Sequence, residues 1–146
     1  MTQLQIFLLG PPEVRWGSGL LTIRRRYPRA LLFYLAARGG MVGRQELLTL
    51  FWEDETESNA RKGLRETLSR LKACLPEPDF IVASQDLIGL NFERVYVDQI
   101  EFENLLHRAA GGKQSSDLPL TTEDYTILQA AIRLWRSPHY LAGSRL

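Results

Sequence analysis

Arg61, Lys62, Arg65, Ser69 and Lys72 are of the side-chain types that can bind nucleic acid, and they recur within one proline-free stretch of the chain. In the same stretch Ala60, Leu64, Leu68, Leu71 and Leu75 follow one another at steps of four, four, three and four. That spacing keeps an apolar set on one face of a helix, predicted from about residue 58 to 75. The five polar residues fall on the face left over, with Glu66 and Arg70 at its borders. Residues 58–75 hold five basic side chains against one acidic. Arginine can bond a guanine edge with both arms of its fork, lysine can neutralise a phosphate, and serine can reach either. An ordinary solvated helix face also looks like this, so the neighbouring elements must decide between the two readings.

Further candidates lie outside that helix. Arg24-Arg25-Arg26 is placed to clamp phosphate, Arg25 at its centre, or to guard an exposed sheet edge. Arg44 opens a second predicted helix and can reach a phosphate or pair within the chain. Gln85, in Ser84-Gln85-Asp86, can bond a phosphate or a base edge. The acidic run Glu53-Asp54-Glu55-Thr56-Glu57 puts negative charge where the next helix begins, which the helix dipole favours. Trp52 reads as a core residue before a base-stacking platform, because aromatics at helical spacing usually pack.

No catalytic constellation appears. The sequence holds one cysteine, Cys74, and two histidines, His107 and His139, on different predicted elements. A zinc site takes four convergent ligands, so neither a metal nor any other cofactor is expected. Glycine-rich phosphate loops, a nucleophile elbow and paired carboxylates are likewise missing from the sequence. The reading is therefore of a protein that is not an enzyme.

The elements that would position the basic stripe follow from hydrophobic pattern and breakers. Leu4 to Leu9 is a strand-length apolar run ended by Gly10-Pro11-Pro12. Short strands are expected at Glu13 to Trp16 and Leu20 to Ile23, giving a small antiparallel meander. Pro28 suits a first helical position, and Arg29 to Arg38 is a Leu- and Ala-rich core helix stopped by Gly39-Gly40. After a Met41-Val42-Gly43 connection, Arg44 to Trp52 is a second amphipathic helix. Pro76 and Pro78 end the third helix, and Phe80 to Ala83 with Leu87 to Leu90 reads as a hairpin. Two more amphipathic helices, Asp98 to Ala110 and Thr122 to Arg136, flank a polar linker from Gly111 to Asp117.

Bulk properties agree with a folded protein. The 146 residues are 45% hydrophobic and 24% charged, well away from the composition of disordered chains. The longest apolar run, Ala30 to Ala37, has eight residues, against about 20 for a membrane-spanning helix. The opening residues lack the pattern of a secretion signal, and the lone cysteine suits a reducing compartment, so the expected location is the cytoplasm. The net charge of +1 hides an asymmetry: residues 1–75 carry an excess of five basic side chains and residues 76–146 an excess of four acidic ones. Strands, three helices and a hairpin in that order are the parts of a winged helix-turn-helix, an α+β fold whose third helix enters the major groove.

The residues carry a more specific likeness. Arg44-Gln45-Glu46-Leu47-Leu48, Leu50-Phe51-Trp52, Ala60-Arg61 and Leu64-Arg65-Glu66-Thr67-Leu68-Ser69-Arg70-Leu71-Lys72 resemble the OmpR-like winged-helix domain of SARP-type bacterial regulators. Leu4 to Gly10 and Arg29 to Ala36 resemble that family's first strand and first helix. Val97-Asp98, Phe102, Ala130 to Trp135 and Ser137-Pro138-His139-Tyr140-Leu141 resemble the start of its bacterial transcriptional activation domain. The resemblance implies a DNA-binding domain over residues 1–96 and the beginning of a helical domain over 97–146. It also implies a four-stranded N-terminal sheet, promoter DNA as ligand, and head-to-tail pairing of two copies on direct repeats. RNA polymerase would be touched by the loop that maps onto Glu53, Asp54 and Glu55. Two features depart from the family. The wing tip lacks basic residues and a Gly-Tyr pair, and the helical part stops after about two helices, where repeats of this kind need neighbours to bury their faces. The expectation is a piece of a longer regulator or a reduced member of the family.

Overall fold

A computed structural model describes residues 3–109 and 122–134. The chain divides into two units, one formed by Met1–Ile6 and Glu13–Tyr96, the other by Phe7–Pro12 and Val97–Arg145. The grouping of Phe7–Pro12 with the later residues is not visible in the sequence, where 4 to 9 reads as one strand.

The first unit opens with β1 (Leu4–Phe7), β2 (Glu13–Trp16) and β3 (Gly19–Leu20). Along β1 the residues alternate between buried and half-buried, the period of two that a sheet with one covered face imposes. β2 and β3 are antiparallel, with Trp16 opposite Gly19. The third strand is shorter than its expected span; Leu21 still donates to the Val14 carbonyl at 2.8 Å. The sheet has four strands in the order β3-β2-β1-β7, and its last member, β7 (Val95–Val97), comes from far along the chain. The four-stranded sheet implied by family likeness thus exists, but one strand is not N-terminal.

Helix α1 (Arg26–Arg38) begins two residues before Pro28, which sits in the first turn, where a missing N–H costs nothing. Gly39, at φ 75° in the left-handed region, ends it, and its N–H returns to the Leu35 carbonyl at 3.2 Å. α2 (Arg44–Phe51) and α3 (Glu57–Cys74) complete the helical core. Leu31, Leu32, Leu35, Leu47, Leu64 and Leu71 bury their side chains almost completely between these helices and the strands. Truncating one such leucine to alanine typically costs about 2 to 5 kcal/mol.

After α3, a single 3-10 turn (Pro78–Phe80) takes up Phe80, expected to be strand, and buries it. The wing is a three-stranded sheet in the order β4-β6-β5, made of β5 (Ile81–Ala83), β6 (Leu87–Leu90) and β4 (Val42–Gly43). β4 occupies what reads in sequence as a plain connection. Val42 pairs with Ile88 and Gly43 with Leu87, so the start of α2 is fastened to the wing.

The second unit contains α4 (Asp98–Ala109) and α5 (Thr122–Arg133), which pack on each other. Buried Asp98 accepts from the N–H groups of Leu8 at 2.7 Å and Leu9 at 3.1 Å. Those bonds account for the early segment that joins this unit. The linker 111–117, Trp135 and the Ser137-Pro138-His139-Tyr140-Leu141 segment lie outside the described residues. Among the described residues, no helix is long and apolar enough to cross a membrane.

Candidate nucleic-acid interface

The basic helix is α3, and its two faces separate cleanly. Ala60, Leu64, Leu68, Leu71 and Leu75 are buried, while Arg61, Lys62, Arg65 and Ser69 are exposed and Lys72 is half-buried. At about 100° per residue the five polar residues share an arc of roughly 100° centred near Arg65. Thr56 caps the helix, its side-chain oxygen accepting from the Asn59 N–H at 3.2 Å. The cap satisfies one of the orphan donors of the first turn.

Arg61 donates to Glu57 one turn earlier at 2.6 Å, with the two side chains 65% and 63% exposed. Exposed pairs of this kind contribute about 0 to 1 kcal/mol. A phosphate can therefore compete for Arg61 at little cost.

Among the described residues, Arg44 has no salt-bridge partner. Its Nε donates to the Ser84 carbonyl at 3.0 Å, and its backbone N–H bonds the Asp86 carbonyl at 2.8 Å. The structure therefore brings Arg44 to the wing tip, beside exposed Gln85. The tip closes tightly: the Ser84 N–H donates to the Leu87 carbonyl at 2.8 Å, and the Leu87 N–H donates to Ser84 Oγ at 3.1 Å. The wing strands carry no lysine or arginine, and Val82 and Leu87 are exposed.

Arg25 is the exposed N-cap residue of α1 and makes no side-chain cap; Arg24 and Arg26 are exposed on either side of it. Tyr27 follows, and its ring meets Trp52 with centroids 5.5 Å apart. Phe51 lies 5.8 Å from Trp52 and 6.3 Å from Tyr27. Trp52 is half-buried in this aromatic cluster at the end of α2. The indole covers Gly63, whose one signal in the sequence is its place in mid-helix, where a glycine costs about 1 kcal/mol relative to alanine and so marks a packing reason.

Glu53, Asp54 and Glu55 are exposed between α2 and α3. The Glu55 N–H bonds the Trp52 carbonyl at 3.2 Å, which turns the chain toward the Thr56 cap. With Gln45, Leu48, Thr49, Trp52 and Ala60, the acidic side chains Glu53, Glu55 and Glu57 line a hollow between the two helices.

Two ion clusters tie segments of the first unit together. Arg38 donates to both carboxylate oxygens of Glu46 at 3.1 Å, and the Tyr34 hydroxyl donates to the same carboxylate. Arg38 foremost, then Tyr34, holds Glu46 below the ordinary carboxylate range; the bond to Glu46 pushes the Tyr34 phenol up. Arg94, with its side chain only 13% exposed, pairs with Glu77 and with Asp79 at 2.6 Å and lies over the Phe80 ring at 4.7 Å.

No family model matches the chain. Over 133 residues, 90% of its length, it is 28% identical to regulatory protein AfsR of Streptomyces griseus. Among solved structures it superposes on Mycobacterium tuberculosis EmbR, determined in complex with a low affinity phosphopeptide, with a TM-score of 0.67 at 25% identity over 97% of this chain. The chain is thus similar to SARP-type regulators over most of its length. It spans 13% of the length of AfsR and 38% of the EmbR chain. Its α+β winged-helix architecture matches that of the EmbR structure.

Proposed function

We propose that the chain is a sequence-specific DNA-binding part of a bacterial transcriptional regulator, acting in the cytoplasm and without catalysis. The observation that carries this reading is the exposed basic arc of α3, on a helix whose apolar face is buried along its length. Arg61, Lys62, Arg65, Ser69 and Lys72 face the major groove, with Arg65 central and best placed for a guanine. Arg25 and Arg44 contact the phosphate backbone, and Gln85 at the wing tip reaches a phosphate or a base edge. Two copies bind head to tail on direct repeats in double-stranded promoter DNA, and Glu53, Asp54 and Glu55 contact RNA polymerase. Residues 1–96 are the DNA-binding domain and 97–146 begin a helical activation domain.

Selection of genomic fragments that bind the chain, followed by a salt titration on the enriched site, tests the proposal. A repeated motif is expected, with affinity falling at a log-log slope of roughly −4 to −5 per copy for about five phosphate contacts. Arg65→Ala should cost about 1 to 3 kcal/mol on that site and relax the base preference at one position. An equal loss on unrelated DNA would reduce Arg65 to a phosphate contact.

One observation favours a second reading. The wing strands lack any basic residue and expose Val82 and Leu87, which suits a winged helix that docks proteins through its basic helix instead of reading DNA. No enriched motif, a shallow salt slope and a stoichiometric protein partner would establish that alternative.

A further inference from the structure

Gly63 lies two residues from Arg65, about 160° around α3 from it, and thus on the back of the helix. A β-carbon built there would stand 2.6 Å from Trp52 Nε1 and 2.8 Å from Trp52 Cε2. No side chain fits unless the indole moves, because real β-carbons do not approach heavy atoms so closely. The indole is also held by Tyr27 and Phe51, and Tyr27 directly follows Arg24-Arg25-Arg26 in the first turn of α1. Trp52 therefore fills the space between the arginine-bearing end of α1 and the bare backbone of α3.

We infer that Trp52 and Gly63 are a positioning pair for DNA reading, a spacer that fixes the separation between the Arg24–Arg26 cluster and the base-reading face of α3. The inference rests on the proposed DNA binding by that face. Attraction to phosphate is long-ranged and tolerates small shifts, whereas bidentate bonds to a base edge need the helix at one depth and rotation. A thicker or thinner spacer should therefore lower discrimination between sequences while leaving general DNA attraction in place. Neither residue is itself predicted to touch DNA.

The test uses the full chain, its selected site and a scrambled duplex of equal length, with Gly63→Ala, Trp52→Leu and the double variant compared to wild type. Gly63→Ala should lower the ratio of scrambled to specific Kd by about tenfold, with the scrambled Kd and its salt slope within about twofold of wild type. Leucine at the indole's place leaves room for the added methyl, so the double variant should regain discrimination to within about threefold of wild type. The inference is overturned if Gly63→Ala keeps the ratio, if both affinities fall together, or if the double variant is no better than the single. Should Gly63→Ala not fold by circular dichroism, the same ratio is read on Trp52→Leu, which thins the spacer without a clash; an unchanged ratio there overturns it too. A wild-type chain with no sequence preference instead overturns the reading of the basic face. In that event the contact is still judged by the Trp52 indole N–H resonance, which moves in Gly63→Ala only if the ring sits on residue 63.

Discussion

Arg44 Nε donates to the Ser84 carbonyl at 3.0 Å while the Arg44 backbone N–H bonds the Asp86 carbonyl at 2.8 Å, so the first residue of α2 holds both ends of the wing tip around Gln85. The bond ties a helix that would lie across the DNA backbone to the loop that would reach an adjacent groove. Arg44→Ala should destabilise by about 0.5 to 1.5 kcal/mol, the net contribution of one such hydrogen bond. Amide exchange at Leu87 should quicken with it. Arg44→Lys keeps the charge but not the planar fork; wild-type DNA affinity in that variant, with exchange still fast, would mean that DNA senses only the charge.

Removing the Thr56 cap isolates the local stability of α3 from the contacts proposed for its basic face. Thr56→Ala should cost about 1 kcal/mol, read as a lowered denaturation midpoint, and Thr56→Ser should recover most of it. A loss below about 0.3 kcal/mol would show that Glu57 and the packing of α3 hold the first turn without the cap.

Freeing Arg61 should strengthen DNA binding. Glu57→Gln removes a carboxylate beside the basic arc of α3 and releases the guanidinium it holds at 2.6 Å. Affinity for specific and scrambled duplexes should rise together, by a few-fold at low salt and less at high salt. Stability should change by less than about 1 kcal/mol. Weaker binding would place Glu57 among the groups that orient Arg61 on its target.

The Tyr34–Glu46–Arg38 cluster gives two opposed pH dependences. Glu46 is held below the ordinary glutamate range by Arg38 and then Tyr34, so its contribution is complete above the unfolded-state value and is lost as pH falls through the lower folded value. Tyr34 is pushed up by its bond to Glu46. Its contribution is complete below the ordinary tyrosine value and is lost as pH rises through the higher folded one. Denaturation midpoints of wild type and Glu46→Gln should therefore converge in acid, and those of wild type and Tyr34→Phe in strong alkali. Parallel curves across the whole range would exclude the cluster as a source of stability.

In the second unit, Asp98→Ala strips two buried N–H groups, Leu8 and Leu9, of their acceptor. Unsatisfied buried donors are costly, and the expected loss is about 2 to 4 kcal/mol. Asn at this position keeps one acceptor oxygen and should lose less. Equal stability of Asp98→Ala and wild type in urea would show that water reaches the Leu8 and Leu9 amides.

How far the sequence reaches depends on which signals are local. The period of Ala60, Leu64, Leu68, Leu71 and Leu75 names both faces of α3 without any knowledge of the rest, because a helix fixes its faces by residue spacing alone. Breakers such as Gly39, Pro76 and Pro78 bound the helices, since their backbone limits act within a few residues. No such local signal marks Val42–Gly43 and Val95–Val97, strands of two and three residues. Such segments have too few positions to display a period of two, and they become strands only because β6 and β1 supply hydrogen-bond partners from far along the chain.

By itself, then, the sequence determined the winged-helix order of elements, the basic face of α3 and the charge asymmetry between the two halves. Tertiary structure decided what each of those elements is fastened to: Arg44 to the wing tip, Trp52 to the back of α3 at Gly63, and Asp98 to the amides of Leu8 and Leu9. The physical reason is the range of the forces involved. Helix faces and turns follow from dihedral limits and spacing between near neighbours, whereas a buried carboxylate or a bare glycine backbone finds its partner only when the folded chain brings distant residues within hydrogen-bond or van der Waals reach.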